Sequence, residues 1–384
     1  MNGALAGVKI LDFGHYIPGP FAAMLLAEQG AEVIKVEPPG GDPFRRDEGF
    51  IIWNRSKKGI TLNLKKPEGQ RIAHELAQKS DVVIENFQPG VADRLGIGYD
   101  TLQQLNSRII YCSISGFSQT GPYRDIPGWE PIASALATVY TEQGNEALPV
   151  YTVLPLSSYY AALMAEFSIA AALYMREVSK EGQRIDISLF AAMLAAQSVW
   201  VVDFEGKARM PWGPQGLLPL YRFYQGSDEK WFFLALGTPV FFTKFAVLLG
   251  REEWLADELF EGAPFLIAPP RNARVITLLK DIFATKTRDE WVELLRSADL
   301  PCAPARTVEE CLQDPQVVFN EMLVEIQDPL LGKVQEVGIP TKLSLTPGAV
   351  KGASPALGQH NREILKGLGY SEGELSRLQK ESVI

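Results

Sequence analysis

Cysteine and histidine are scarce in this chain, three of each in 384 residues. Cys112, Cys302 and Cys311 are odd in number and lack zinc-ligand spacing. A disulfide framework and a cysteine-built metal site are therefore excluded, and free, mostly buried thiols in a reducing cytosol are expected. His15, His74 and His360 stand singly, which argues against a histidine metal cluster; no metal is expected. Basic charge is not in excess either. Acidic residues outnumber basic ones by 46 to 37, for a net charge of −9. That balance argues against bulk binding to nucleic acid or to an anionic membrane surface, though it leaves room for a local basic pocket. Long apolar runs are missing as well. The opening MNGALAGVKILDFG is too short in apolar residues for a signal peptide. The Ala-rich stretch 159–175 comes nearest to a membrane span, but Glu166 interrupts it, so it reads as a buried core helix. A cytoplasmic location is expected. Internal repeats and low-complexity tracts are absent.

What is present is an alternation of short apolar runs and helical segments. Residues 8–13 (VKILDF) read as a buried parallel strand. The loop GHYIPGP and an Ala/Leu-rich helix follow, ended by Gly30, and residues 31–37 form the next strand. This βαβ unit opens a doubly wound sheet. Further strands are predicted at 60–64, 81–85, 108–114 and 184–189, with helices between them. The predicted fold is α/β: a Rossmann-like large domain over residues 1–200, completed by 325–384, and a smaller α+β domain over 221–315. Linkers are placed at 201–220 and 316–324. The Pro/Gly-dense stretch 211–219 reads as an extended crossing segment. In the small domain, 221–226 and 231–235 read as a hairpin, and Thr287 caps a helix over 288–297.

Several loops carry chemistry. The first, Gly14-His15-Tyr16-Ile17-Pro18-Gly19-Pro20, leads into a helix N-terminus, which suits an anion. Pro18 and Pro20 remove two donors, however, so spacing alone makes it a structural turn. Glu37 ends the second strand, where a dinucleotide fold places its ribose acid, but the glycine fingerprint is missing. Arg45, Arg46, Arg55, Lys57 and Lys58 form a basic cluster that could face a polyphosphate or simply be solvated. Asn86 and Phe87 follow the strand DVVIE at its carboxyl end, where open α/β sheets bind ligands, with Arg94 a turn or so further on.

Taken in order, LDFGHYIPGPFAAMLLAEQGAEVIKVEPPGGD, NRSKKGITLNLKKPEGQ and DVVIENFQPGVADRLGIGYDTLQQLNSRIIYCSISGFSQTGPY resemble the successive signatures of class III CoA-transferases. KEGQRIDISLFAAM and RFYQGSDEKWFFLAL are similar to the same family, and the likeness runs over nearly the whole chain. The resemblance implies an interlocked dimer of ring-like subunits and a CoA thioester as substrate. It places CoA against Tyr16, Ile17 and Pro18, with Leu62 and Lys65 at the adenine and phosphate end and Asn86, Phe87 and Arg94 completing that side. Position 38, an arginine in some relatives, is Pro38 here.

The family's nucleophilic aspartate precedes a long apolar helix ending in arginine. Counting back from Arg176 puts Ser158 at that position. A serine hydroxyl is protonated at neutral pH, needs a base, and would give an ester rather than an anhydride, so Ser158 is ill suited to the family's chemistry. Its plainest role is a helix N-cap. Glu130, in a loop that borders the active site in the family, is a candidate for positioning substrate. Racemases of this fold carry Gly-His-Asp where this chain has Gly128-Trp129-Glu130, so the transferase branch is the closer likeness. Gly237-Thr238-Pro239-Val240 stands where relatives have a glycine-rich loop, and reads equally as a strand-to-helix turn. Three functions follow: CoA transfer between carboxylic acids, a catalytically silent subunit paired with an aspartate-bearing homologue, or another acyl-CoA reaction such as hydrolysis or lyase chemistry.

Overall fold

The computed structural model describes residues 3–144, 147–206, 216, 218–329 and 331–384. Most of the crossing segment expected at 211–219 lies outside them. The chain divides into two units. One comprises Met1–Thr138, Val153–Asp203 and Pro315–Ile384; the other comprises Val139–Thr152 and Phe204–Asp314. The stretch 316–324, expected as a linker, carries the helix Pro315–Phe319 and the start of a strand.

The first unit is built on a parallel sheet of six strands: β1 (Lys9–Asp12), β2 (Glu32–Glu37), β3 (Lys58–Thr61), β4 (Val82–Glu85), β5 (Ile110–Ser115) and β6 (Arg184–Ser188). Their order is β3-β2-β1-β4-β5-β6, the doubly wound arrangement predicted from the alternation. Ile10 of β1 pairs with Val33 on one side and Val82 on the other. The order therefore reverses beside β1, and a crevice is left at the carboxyl ends of β1 and β4.

Alternation along each strand feeds two cores. Ile10, Val33, Ile84, Ile110 and Ile114 face the helices Pro18–Glu28 and Leu156–Ser179, which contribute Ala22, Leu26, Ala161, Ala165 and Ile169. Leu11, Val36, Ile60 and Tyr111 face Ile72 and Leu76 of the helix Pro67–Gln78, together with Leu365 and Leu378 from the C-terminal helices Asn361–Gly367 and Glu372–Lys380. Each such large apolar side chain contributes roughly 1.5–3 kcal/mol on burial. The C-terminal helices are thus structural members of the first unit. The C-terminal tail becomes helical at Asn361.

The helix Leu156–Ser179 is long and apolar enough to cross a membrane, yet its alanine face lies in the first core. Its other face leaves Phe167, Tyr174 and Val178 more than two-thirds exposed. It runs three residues past Arg176, which pairs with Asp81 at 2.9 Å. Of the three free cysteines only Cys112 is buried, and Cys311 is exposed, contrary to the expectation of mostly buried thiols.

The second unit holds an antiparallel sheet of β7 (Tyr221–Gln225), β8 (Trp231–Ala235) and β9 (Cys302–Pro304). The predicted hairpin is β7–β8, closed by the Gly226 N–H donating to the Lys230 carbonyl at 3.0 Å. Thr287 caps the helix Arg288–Ser297 in a reciprocal box with Glu290. Thr238 caps the helix Pro239–Leu248, so Gly237–Val240 is a strand-to-helix turn. The first unit also holds the hairpin of β10 (Leu323–Asp328) and β11 (Gly332–Val337).

Candidate active site

The loop leaving β1 is fixed from below by two fully buried lysines. The Lys57 ammonium donates to Asp12 at 2.7 Å, to the Pro20 carbonyl at 2.8 Å and to Asn54 at 3.0 Å. Burial pulls its pKa down to about 8, against the raising effect of Asp12. Lys35 donates to the Gly14 carbonyl and, at 3.0 Å, to Asp42. The loop therefore carries His15 and Tyr16 at set positions, and Tyr16 adopts φ 58°, uncommon for a residue with a Cβ. Asn86, at the end of β4, closes the arrangement from the other side of the crevice. Its amide accepts from the His15 N–H at 2.7 Å and donates to the His15 carbonyl at 2.8 Å. Phe87 packs against the imidazole, with ring centres 5.4 Å apart.

His15 Nδ1 lies 3.0 Å from Asp42 Oδ2. Because a carboxylate only accepts, Nδ1 donates this hydrogen bond. Burial alone would raise the pKa of Asp42. The His15 hydrogen bond, the Lys35 charge and the Phe44 N–H outweigh it and hold the carboxyl well below the usual range.

These loops border a cavity of about 240 Å³, all of whose lining comes from the first unit. Tyr16, Phe44, Trp129, Ile114 and Leu189 supply apolar wall; His15, Asn86, Glu130 and Ser158 are among its polar groups. Trp129 and Glu130 arrive on a loop pressed against the end of β5. A Cβ on Gly128 would meet the Gly116 Cα at 2.3 Å, so both positions need glycine for the backbones to approach. Glu130 opens the helix Glu130–Leu136 and accepts from the Ser134 hydroxyl at 2.7 Å.

Ser158 is not the N-cap that its sequence position suggested. Pro155 occupies the cap and offers no side-chain acceptor; Leu156 is the first helical residue, and Ser158 lies within the first turn. The serine is 1 % exposed, lines the cavity, and its Oγ has no hydrogen-bond partner. Buried hydroxyls are rarely left so.

The cavity thus gathers Tyr16, Pro18, Asn86, Glu130 and Ser158. Ile17 and Leu62 are buried in the fold rather than in its lining, and Phe87 reaches it only through His15. Lys65 and Arg94 are exposed and stand outside it. Glu166 also stands outside it, its pKa raised by burial. The basic cluster after β2 is largely committed elsewhere. Arg45 grips Glu37 at 2.6 and 2.7 Å, Arg55 binds Glu28 and Glu336, Lys57 binds Asp12, and Lys58 binds Glu363 at 2.9 Å. Glu37 is equally engaged, since it also accepts from the Asp42 N–H. Sequence reasoning missed Asp42 and Lys35. Their signal was the stretch VIKVEPPGGD, in which Lys35 on β2 and Asp42 in the loop after it stand seven residues apart. Among the described residues, no group of three or more His, Cys, Asp or Glu side chains could hold a metal ion.

The family model described as CoA-transferase family III matches residues 5–361. The chain belongs to that family. It is 33% identical over 395 residues to a succinyl-CoA–D-citramalate CoA-transferase of Chloroflexus aurantiacus, covering 99% of this chain and 98% of the relative. It is 32% identical over 406 residues to the beta subunit of a succinyl-CoA–L-malate CoA-transferase of the same organism, covering 99% and 98%. A solved CAIB/BAIF family protein from Brucella suis superposes with a TM-score of 0.83 at 28% identity, covering 96% of this chain and all of that one. The fold is therefore that of the family III proteins, with the crevice at β1 and β4 in its expected place.

Proposed function

We propose that this chain binds a CoA thioester in the crevice at the ends of β1 and β4 and moves CoA between carboxylic acids. The observation that carries the reading is the cavity itself. It opens where doubly wound sheets bind ligands, and it brings Tyr16, Pro18, Asn86, Glu130 and Ser158 together in a chain of this family. Tyr16 and Pro18 would meet the thioester arm, with Ile17 holding their loop from within the fold. Lys65 and Arg94, both exposed cations, would meet phosphate, while Leu62, Asn86 and Phe87 support that side. Ser158 stands at the aspartate position, so the reaction would proceed without the family's enzyme-bound anhydride. Glu130 would position substrate. A second reading finds support in the name of one relative, a beta subunit. In that reading the chain serves as the silent partner of an aspartate-bearing homologue.

Calorimetric titration with CoA and acetyl-CoA tests the binding half of the proposal. Saturable heat is expected, and Lys65→Ala should weaken binding by roughly 1–3 kcal/mol through loss of a charge-assisted phosphate contact. No heat and no thermal shift at millimolar ligand would reject it.

A further inference from the structure

We infer that the first turn of the helix Leu156–Ser179 is a carboxylate-binding subsite, in which the acceptor acid itself takes the place of an enzyme carboxylate. The inference rests on the CoA-transfer reading above. Two independent observations meet here. The helix is 24 residues long and begins without a side-chain cap, the Leu156 N–H alone donating back to the Leu154 carbonyl, so the Ser157 and Ser158 N–H groups and the helix dipole favour an anion. Within that turn, Ser158 Oγ is buried, borders the cavity and lacks any partner. A hydroxyl has one proton to donate, and an unmade hydrogen bond in a buried site is unfavourable. A substrate carboxylate at this point accepts that proton and lies under the helix N-terminus. Glu130 lines the same cavity, its Oε1 accepting from Ser134 on its own helix.

The chemistry then needs no covalent enzyme intermediate. One oxygen of the acceptor carboxylate attacks the thioester carbonyl of the donor, forming a C–O bond and breaking the C–S bond. The products are a mixed anhydride of the two acids and CoA thiolate. The thiolate attacks the acceptor's carbonyl carbon, forming the new thioester and expelling the donor as its carboxylate. That carboxylate carries away the oxygen that bridged the anhydride. No oxidant, water or added proton is required, and acceptor and donor are bound together.

The test uses single turnovers of the purified chain with acetyl-, succinyl- or benzoyl-CoA and an acceptor, propionate or phenylacetate, labelled with 18O on both oxygens. The Ser158→Asp variant is run beside it. In the wild type, the released donor acid should carry one 18O in the first turnover. The protein should gain neither label nor a hydroxylamine-sensitive adduct, and initial rates should show a ternary complex. Ser158→Ala should raise KM for the acceptor acid roughly tenfold and leave that for the thioester unchanged. In Ser158→Asp, the label should instead remain on the protein and the first donor acid should be unlabelled. Unlabelled donor acid from a wild type that transfers CoA, or an acyl adduct on its Ser158, would overturn the inference while leaving the CoA-transfer reading standing; transfer by Ser158→Asp alone would overturn both for the wild-type chain. Transfer by neither protein from any pair would overturn that reading and the inference with it.

Discussion

Glu85 ends β4 with 3 % of its surface exposed, accepting from the Phe87 N–H at 2.8 Å. Burial pushes its pKa up to about 7, with the Ser113 hydrogen bond and the Phe87 N–H opposing. The folded value thus lies above the unfolded one. Between about pH 4.5 and pH 7 the native state holds the extra proton, so this group's contribution to stability falls as pH rises through that window. Glu85→Gln should therefore be more stable than the wild type at pH 8, by roughly 1–3 kcal/mol, with the gap closing towards pH 5. Urea melts of both proteins at the two pH values check this. An equal gap at both would show that Glu85 is already ionised without penalty. Nothing in DVVIE distinguishes this carboxyl from a solvated one. Its burial depends on Ser113 of the neighbouring strand, 28 positions away, and the same limit hid the roles of Arg45, Arg55 and Lys58. A run of basic residues reads as a surface in sequence, yet their partners come from other turns of the chain.

At the scale of elements the sequence was far more readable, because short apolar runs and turn residues act locally. Five of the six parallel strands and the β7–β8 hairpin lie close to where the apolar runs and Gly/Pro punctuation placed them, while β3, expected at 60–64, runs from Lys58 to Thr61. The start of the long helix was misjudged because serine is a better cap than proline by propensity, and only tertiary packing shows Pro155 in that place. The tie between elements was not legible. Arg55, 1 % exposed, bonds Glu28 of the helix Pro18–Glu28 at 2.6 Å, and Glu336 and the Val337 carbonyl of β11 at 3.0 and 2.7 Å. Breaking a buried pair on one side leaves uncompensated charge. Arg55→Ala should destabilise the chain by about 3 kcal/mol. Adding Glu28→Gln should recover part of that loss. Guanidinium melts of the single and double variants decide it; a loss under 1 kcal/mol would mean that water reaches these carboxylates.

At the scale of the whole molecule, the exposed apolar face of the helix Leu156–Ser179 calls for a cover. Phe167, Tyr174 and Val178 lie on it at 73%, 79% and 68% exposure, and contiguous patches of this kind mark interaction surfaces. We propose that the occupant is a second copy of this chain, or an aspartate-bearing homologue, interlocked with it as the family resemblance implies. Threaded rings cannot part without unfolding. Sedimentation at nanomolar concentration should therefore still show a dimer, and a monomer there would reject interlocking. Phe167→Glu should lower the yield of assembled protein more than it weakens an assembled dimer.

The transfer of CoA remains the claim on which the rest depends, and isotope exchange reads it directly. The purified chain is mixed with acetyl-, succinyl- or benzoyl-CoA and the matching carbon-13-labelled free acid, and the thioester is followed by mass spectrometry. The account expects label to enter at least one of the acyl-CoA pools while total thioester stays constant, because CoA passes from one acid to another without water. Loss of thioester as free CoA, with no label gained, would contradict it and assign the cavity to hydrolysis.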